Sequence, residues 1–167
     1  MRRVWRWAGL LAGLALPAGA TVMYEATVTH VSDGDTVWVD AGDGGAPRKL
    51  RIDGIDAPEI CQDGGAESRA LLAARALHRR VQVQVRRQDD YGRGLARIQL
   101  GSEDLGAVMV REGQAWSYRW RHSPGPYIAE EQQARQQRRG LFAQAQPELP
   151  RAFRQRHGTC HPQVLGR

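Results

Sequence analysis

Apolar and polar residues alternate strictly along Val81-Gln82-Val83-Gln84-Val85, the period of a half-buried strand. The same alternation returns over 95–100 after the turn Asp89-Asp90-Tyr91-Gly92, so the two segments predict a β-hairpin. Upstream, 25–31 alternates and is rich in β-branched residues, which predicts a first strand. Ser32-Asp33-Gly34-Asp35 then reads as a tight turn with Gly34 taking a positive φ, and 36–39 as the returning strand. A loop over 40–47 leads to a third strand over 50–55, with Leu50 and Ile52 on the core face and Arg51 and Asp53 on the other.

Elsewhere the period lengthens to that of a helix. Ala70, Ala73, Ala74 and Leu77 predict a helix over 66–80. Leu105, Val108 and Met109 mark a short helix closed by Gly113. A third helix is expected over 128–139, closed by Gly140, with Glu131 and Arg135 spaced for an i,i+4 ion pair. Beyond Leu141 and Phe142 the chain is expected to run extended over the surface. Three strands, a helix, two strands and two helices predict an α+β, predominantly β fold. The expected architecture is a five-stranded OB-fold Greek-key barrel with three helices.

The N-terminal pattern is of a different kind. Arg2, Arg3 and Arg6 precede an uncharged apolar run over 7–17, and Ala18-Gly19-Ala20 has the form of a signal-peptidase site. Residues 1–20 are therefore expected to be a signal peptide, with an uncleaved anchor as the alternative. The run is shorter than the ~20 apolar residues that span a bilayer, so no stable membrane anchor is expected after cleavage. Periplasmic or secreted location follows. Residues 21–145 form the expected domain and 146–167 a C-terminal extension.

Composition adds two points. The whole chain carries a net charge of +6, three units of which belong to the signal arginines, so the mature protein is only modestly basic. That suits a polyanionic substrate without requiring one. The two cysteines, Cys61 and Cys160, invite a disulfide in an exported chain, tying the extension to the domain. No C-x-x-C or H-x-x-x-H spacing supports a zinc site.

The candidate chemistry lies in three strings: D-G-D-T at 33–36, L-R-I-D-G-I-D-A-P-E at 50–59 and D-Y-G-R-G-L at 90–95. Two carboxylates can hold a hard cation, a third can take a proton from water, and two arginines can neutralise a phosphate as charge builds on it. Each string alone is an ordinary turn or ion-paired strand. Together, with A-V-M-V-R-E-G-Q-A-W at 107–116, they resemble the staphylococcal (micrococcal) nuclease, or thermonuclease, family from about 26 to 142.

The resemblance implies an OB-fold barrel and a calcium-dependent endonuclease that cuts DNA and RNA and leaves 3′-phosphate ends. Asp35 and Asp56 match the carboxylate ligands of Ca2+, and Ala57 stands at a position whose backbone carbonyl is the third ligand. Glu59 matches the general base, and Arg51 and Arg93 the two phosphate-binding arginines. Asp33 stands where a further acid near the metal is common.

Asp90 departs from the family by replacing a lysine, and Arg119 and Arg121 fall at two base-stacking tyrosine positions. Tyr91 is retained, and Tyr118 and Trp120 are the candidate stacking faces beside the replaced positions. Trp116 and Trp120 read first as core or rim aromatics. Single-stranded DNA and RNA are the expected substrates, and a monomer is the expected state. A non-catalytic OB-fold module that binds single-stranded nucleic acid is the alternative, and an envelope protein keeping only the fold is a third class.

Overall fold

The computed structural model describes residues 22–160. The expected signal segment, its cleavage site and the last seven residues lie outside that range. Strands β1 (Val22–Asp33), β2 (Thr36–Asp40) and β3 (Arg48–Ile52) lead to the short strand β4 (Ile55–Asp56) and helix α1 (Gly65–Ala76). Then come β5 (Arg80–Gln88), β6 (Gly94–Leu100), β7 (Glu103–Asp104) and α2 (Leu105–Arg111). Strand β8 (Trp116–Ser117), α3 (Ile128–Gln136), a 3-10 turn (Gly140–Ala143) and α4 (Pro150–His157) complete the described residues.

The five long strands close into a barrel. The main sheet runs β3-β2-β1-β5-β6-β7, and a parallel β3–β6 pairing joins its two sides. β1 is the hinge of that closure. Its first half pairs with β5 and its second half with β2, and Thr27 faces both Arg80 and Asp40. Two irregularities in the β1–β2 register, between Val28 and His30 and between Val31 and Asp33, bend the strand as closure requires. The inward residues Val28, Val37, Val39, Leu50, Ile52, Val81, Val83, Ala96 and Ile98 fill the barrel, with Leu72 and Ala76 of α1 and Met109 and Val110 of α2 packed on it. This is the expected OB-type barrel, with one helix more than expected.

The boundaries moved where tertiary pairing overrode local period. α1 ends at Ala76 rather than at 80. Leu77 is extended, His78 takes φ 62° and donates its N–H to Val28 O at 2.8 Å, and Arg80 already belongs to β5. α3 ends at Gln136, and its left-handed closing residue is Arg138 (φ 51°), not Gly140. The bonds Arg138 N–H to Arg135 O and Arg139 N–H to Ala134 O make the closing turn. Gly140 lies two residues further on, itself at φ 49°, and also serves close packing, since a Cβ there would lie 2.5 Å from Gly113 O. α2 closes through Gly113 (φ 71°) as expected. The tail is not simply extended: Pro150 opens α4 at its first turn and Gly158 ends it.

The turn at Gly34 differs from expectation in its cause. Gly34 is not among the positive-φ residues. It is glycine because a Cβ would sit 1.8 Å from Ser68 Oγ and 2.8 Å from Ala57 Cβ. The turn is shaped by Asp33, whose carboxylate accepts the Asp35 N–H at 3.0 Å. Gly34→Ala is therefore expected to cost about 1–3 kcal/mol by overpacking, read as a lower urea midpoint at unchanged slope; an unchanged midpoint would contradict this account.

Candidate active site

Strand pairing assembles the acidic cluster. Thr36 faces Arg51 across β2 and β3, and Ile52 N–H donates to Asp35 O at 2.8 Å. Arg51 thus lies beside the residue that ends the D-G-D turn. The chain then reverses at Asp53-Gly54, where Gly54 takes φ 84°, and β4 brings Asp56 back along Arg51. Asp35 and Asp56 are 2 % and 6 % exposed. One guanidinium spans them: Arg51 Nη1 is 2.6 Å from Asp35 Oδ2, and Nη2 is 2.8 Å from Asp56 Oδ1. Asp35 also accepts bonds from Thr36 Oγ1 at 2.9 Å and from the Ala57 N–H at 3.1 Å.

Glu59 follows in the loop before α1. Its backbone N–H donates to Gln62 Oε1 at 3.2 Å, and Gly65 packs so closely that a Cβ would lie 2.0 Å from Glu59 O. Its carboxylate joins the cluster through a residue the sequence reading did not single out. Arg154 of α4 places Nη1 3.0 Å from Glu59 Oε1 and 3.3 Å from Asp56 Oδ1. Its Nη2 is 3.2 Å from both Asp56 oxygens. Asp56 and Glu59 therefore share one nitrogen, and Asp35 and Asp56 share one guanidinium. A helix signal for α4 was present in Pro150 and Gly158, the asymmetry of a helix start and stop, and in Leu149, Ala152 and Phe153 at helical spacing opposite Arg151 and Arg154.

The electrostatics show a site with crowded negative charge. Burial pushes the Asp56 carboxyl up and Asp35 adds to the rise, while Arg51 and Arg154 pull it back without cancelling it. Burial, with the charge of Asp35 beside it, raises Asp33 to about 7. Burial opposes the Arg51 charge, but Asp35, Asp56 and Asp33 outweigh it and its pKa rises. Arg154 likewise rises against its burial because of Asp56 and Glu59. Among the described residues no group of three or more acidic, histidine or cysteine side chains is placed to hold a metal ion. Two buried, like-charged carboxylates supply hard oxygen donors only, which fits a cation that keeps water in its shell.

Arg93 stands apart from this cluster. The β3–β6 pairing sets Arg51 opposite Leu95, and Arg93 ends the turn just before β6. Its guanidinium is held by Asp89, Nε to Oδ2 at 2.7 Å, and lies over the Tyr91 ring at 5.3 Å. Asp89 also accepts the N–H groups of Tyr91 and Arg93, at 3.0 and 2.9 Å, so one carboxylate builds the turn and parks the arginine. Burial opposes the ionised Asp89, yet these bonds and the Arg93 charge hold it below the usual carboxylate range.

The three stacking candidates are all on the surface, Tyr91 81 %, Trp120 63 % and Tyr118 38 % exposed. Tyr118 N–H donates to Gly54 O at 2.8 Å, which sets that ring's backbone beside the turn carrying Asp56. Trp116 is core, edge-on to Phe142 at 5.8 Å. Arg119 is a structural group rather than a stacking surface. It donates to Glu131 Oε1 at 2.6 Å, and Glu131, 1 % exposed, also binds Arg135 at 2.9 Å and the Ser117 N–H at 2.9 Å. The expected Glu131–Arg135 pair is thus present as part of a larger buried network.

Asp33 provides a pH test. A carboxyl raised from 3.8 to about 7 favours the folded chain fully below the lower value, and that advantage is lost as pH rises through about 7. In chelator, Asp33→Asn keeps the acceptor for Asp35 N–H and should flatten the fall in stability over this window. Parallel urea titrations of both proteins should converge below pH 4 and separate towards pH 8, with the variant the more stable; identical curves would refute the assignment.

Residues 49–144 match the family described as Staphylococcal nuclease homologue. Over 84 % of this chain and 85 % of the relative, the sequence is 32 % identical to a micrococcal nuclease of Shigella flexneri. It is 33 % identical to Protein ParB of Escherichia coli over 83 % of each chain. An uncharacterized endonuclease of Escherichia coli O157:H7 is 34 % identical over 77 % of this chain and 84 % of its own. With the barrel and the carboxylate–guanidinium cluster in place, these likenesses settle the kinship: the chain belongs to the staphylococcal nuclease family.

Proposed function

We propose that this protein is an exported, calcium-dependent endonuclease that hydrolyses phosphodiester bonds of DNA and RNA to 3′-phosphate products. The observation that carries the reading is the clustering of Asp35, Arg51, Asp56 and Glu59 through shared guanidinium contacts. The names of its relatives, a micrococcal nuclease and an endonuclease, support the reaction class.

In this reading Asp35, Asp56 and the Ala57 carbonyl hold Ca2+. When bound, the ion supplies Lewis-acid polarisation of the phosphate. Glu59 takes the proton of the attacking water. Arg51 and Arg93 bind phosphate oxygens through paired N–H donors, and each such donor aimed at the transition state is worth roughly 3–4 kcal/mol. Arginine does not titrate in this range, so both act as charges rather than as proton donors. To do so Arg93 must exchange Asp89 for phosphate, and Arg51 must exchange its contacts to Asp35 and Asp56; Asp89 is the carboxylate that keeps Arg93 poised. Tyr91, Tyr118 and Trp120 offer exposed rings for unpaired bases, which favours single-stranded substrate. The Cys61–Cys160 disulfide fits an oxidising compartment, in keeping with export to the periplasm or medium.

Incubating the purified protein with single-stranded DNA, in calcium or in chelator, tests the whole reading. Cutting that needs calcium and leaves 3′-phosphate ends is expected. A mobility shift without cutting would replace the enzyme by a binding module. Glu59→Gln should retain most nucleic-acid affinity while lowering turnover by about 10²–10⁴; undiminished cleavage would remove Glu59 as the base. Arg93→Ala should cut rate far more than thermal stability, because its partner Asp89 keeps its backbone bonds; equal loss of both would make Arg93 structural.

A further inference from the structure

The C-terminal extension lies outside the matched family segment, yet three separate contacts tie it to the loop that carries Glu59. Cys61 is disulfide-bonded to Cys160, 99 residues away, with Cα atoms 5.9 Å apart. Gln62 Nε2 donates to Glu148 O at 2.7 Å, and the same amide's Oε1 accepts the Glu59 N–H. Between these two ties stands α4, which delivers Arg154 to Asp56 and Glu59. Gly158, at φ 73°, ends α4 and turns the chain so that Cys160 meets Cys61. Phe153, on the same helix, joins Cys61, Gln62 and Trp116 around the space between extension and barrel.

We propose that Arg154 is a positioning residue of the reaction, supplied by the disulfide-tethered extension to orient the Glu59 carboxylate against Asp56. The proposal rests on the reading of Glu59 as base. Residues 57–64 carry no helix or strand, so a long, flexible side chain there has no regular backbone to aim it. A planar guanidinium fixes direction as well as distance, because its N–H donors diverge in one plane. Arg154 touches one oxygen of Glu59, Oε1, which leaves the second to face water.

The test uses the full chain with its disulfide intact. Single-stranded DNA cleavage is measured at saturating Ca2+ for wild type, Arg154→Ala and Arg154→Lys, with Ca2+ affinity read by calorimetry without substrate. Removing a group that orients a ligand or base costs roughly 10–100-fold in activity. Arg154→Ala should lose that much in kcat with little change in KM and no weakening of Ca2+ binding. Arg154→Lys should recover part of the loss, as should guanidinium ion added to the alanine variant. In a Cys61→Ser/Cys160→Ser background, Arg154→Ala should cost less than in wild type, because the released helix no longer presents the residue.

An alanine variant that turns over as fast as wild type, or faster, would overturn the proposal and leave the nuclease reading intact; a faster one with tighter Ca2+ binding would make Arg154 an obstructing plug. Weaker Ca2+ binding would move the loss to the metal site and overturn it as well. Equal cost of Arg154→Ala with and without the disulfide would remove the tether. If the alanine variant does not fold, the lysine variant carries the same comparison. A wild type inert in calcium sinks the reading of Glu59 itself, and this proposal with it.

Discussion

Everything near the site is constrained by one buried ion cluster, Arg51 between Asp35 and Asp56. A carboxylate taken out of water costs several kcal/mol unless its lone pairs are filled. Here they are filled by Thr36, the Ala57 N–H and Arg51 on one side, and by Arg51 and Arg154 on the other. The geometry that allows this is the barrel's own. β2–β3 register puts Arg51 next to the D-G-D turn, and the Gly54 reversal returns Asp56 to it. Gly34 is held to hydrogen because Ser68 and Ala57 close in behind the turn. Loss of Arg51 would leave buried Asp35 with no counter-charge and Asp56 with Arg154 alone, so fold and site depend on the same residue.

Much of this was readable from sequence because it is local. Strict alternation located β5, the turn after it located β6, and the L-R-I run placed Arg51 away from the core before any partner was known. What local pattern could not supply was the competition between elements. The period through Leu77 runs on past Ala76, but β1 claims the His78 N–H and β5 claims Arg80. Gly140 reads as a helix stop, yet Arg138 accepts the left-handed turn and glycine is needed for backbone contact with Gly113. Arg119 sits at a position that promises a stacking ring and instead answers a buried glutamate fourteen residues beyond Ser117. In each case a long-range partner outweighed a short-range preference.

The tail shows the same limit more sharply. Pro150-Arg151-Ala152-Phe153-Arg154-Gln155-Arg156-His157 has only a short apolar face, Ala152 and Phe153 after Leu149, and reads as an extended, arginine-containing tail. Its stability comes from elsewhere: Phe153 against His157 at 4.8 Å, an Arg156–Glu148 ion pair, and the disulfide beyond Gly158. Pairing of Cys61 with Cys160 was legible from an even cysteine count. That the bond would carry a helix, and the helix a cation, into the acidic cluster was not.

Charge balance explains why such a cation belongs there. Asp35, Asp56 and Glu59, with Asp33 titrating near 7 beside them, face only Arg51 and Arg154, so negative charge is in excess in a site mostly shielded from water. Such an excess suits a cation rather than a bare phosphate. Without Arg154 the acidic excess would grow by one charge, and the Asp56 and Glu59 carboxylates would repel each other with no cation between them. A carboxylate carried on a loop thus gains a fixed counter-charge. In this chain that charge comes from a segment outside the barrel, held in place by the covalent bond at Cys61, two residues from Glu59.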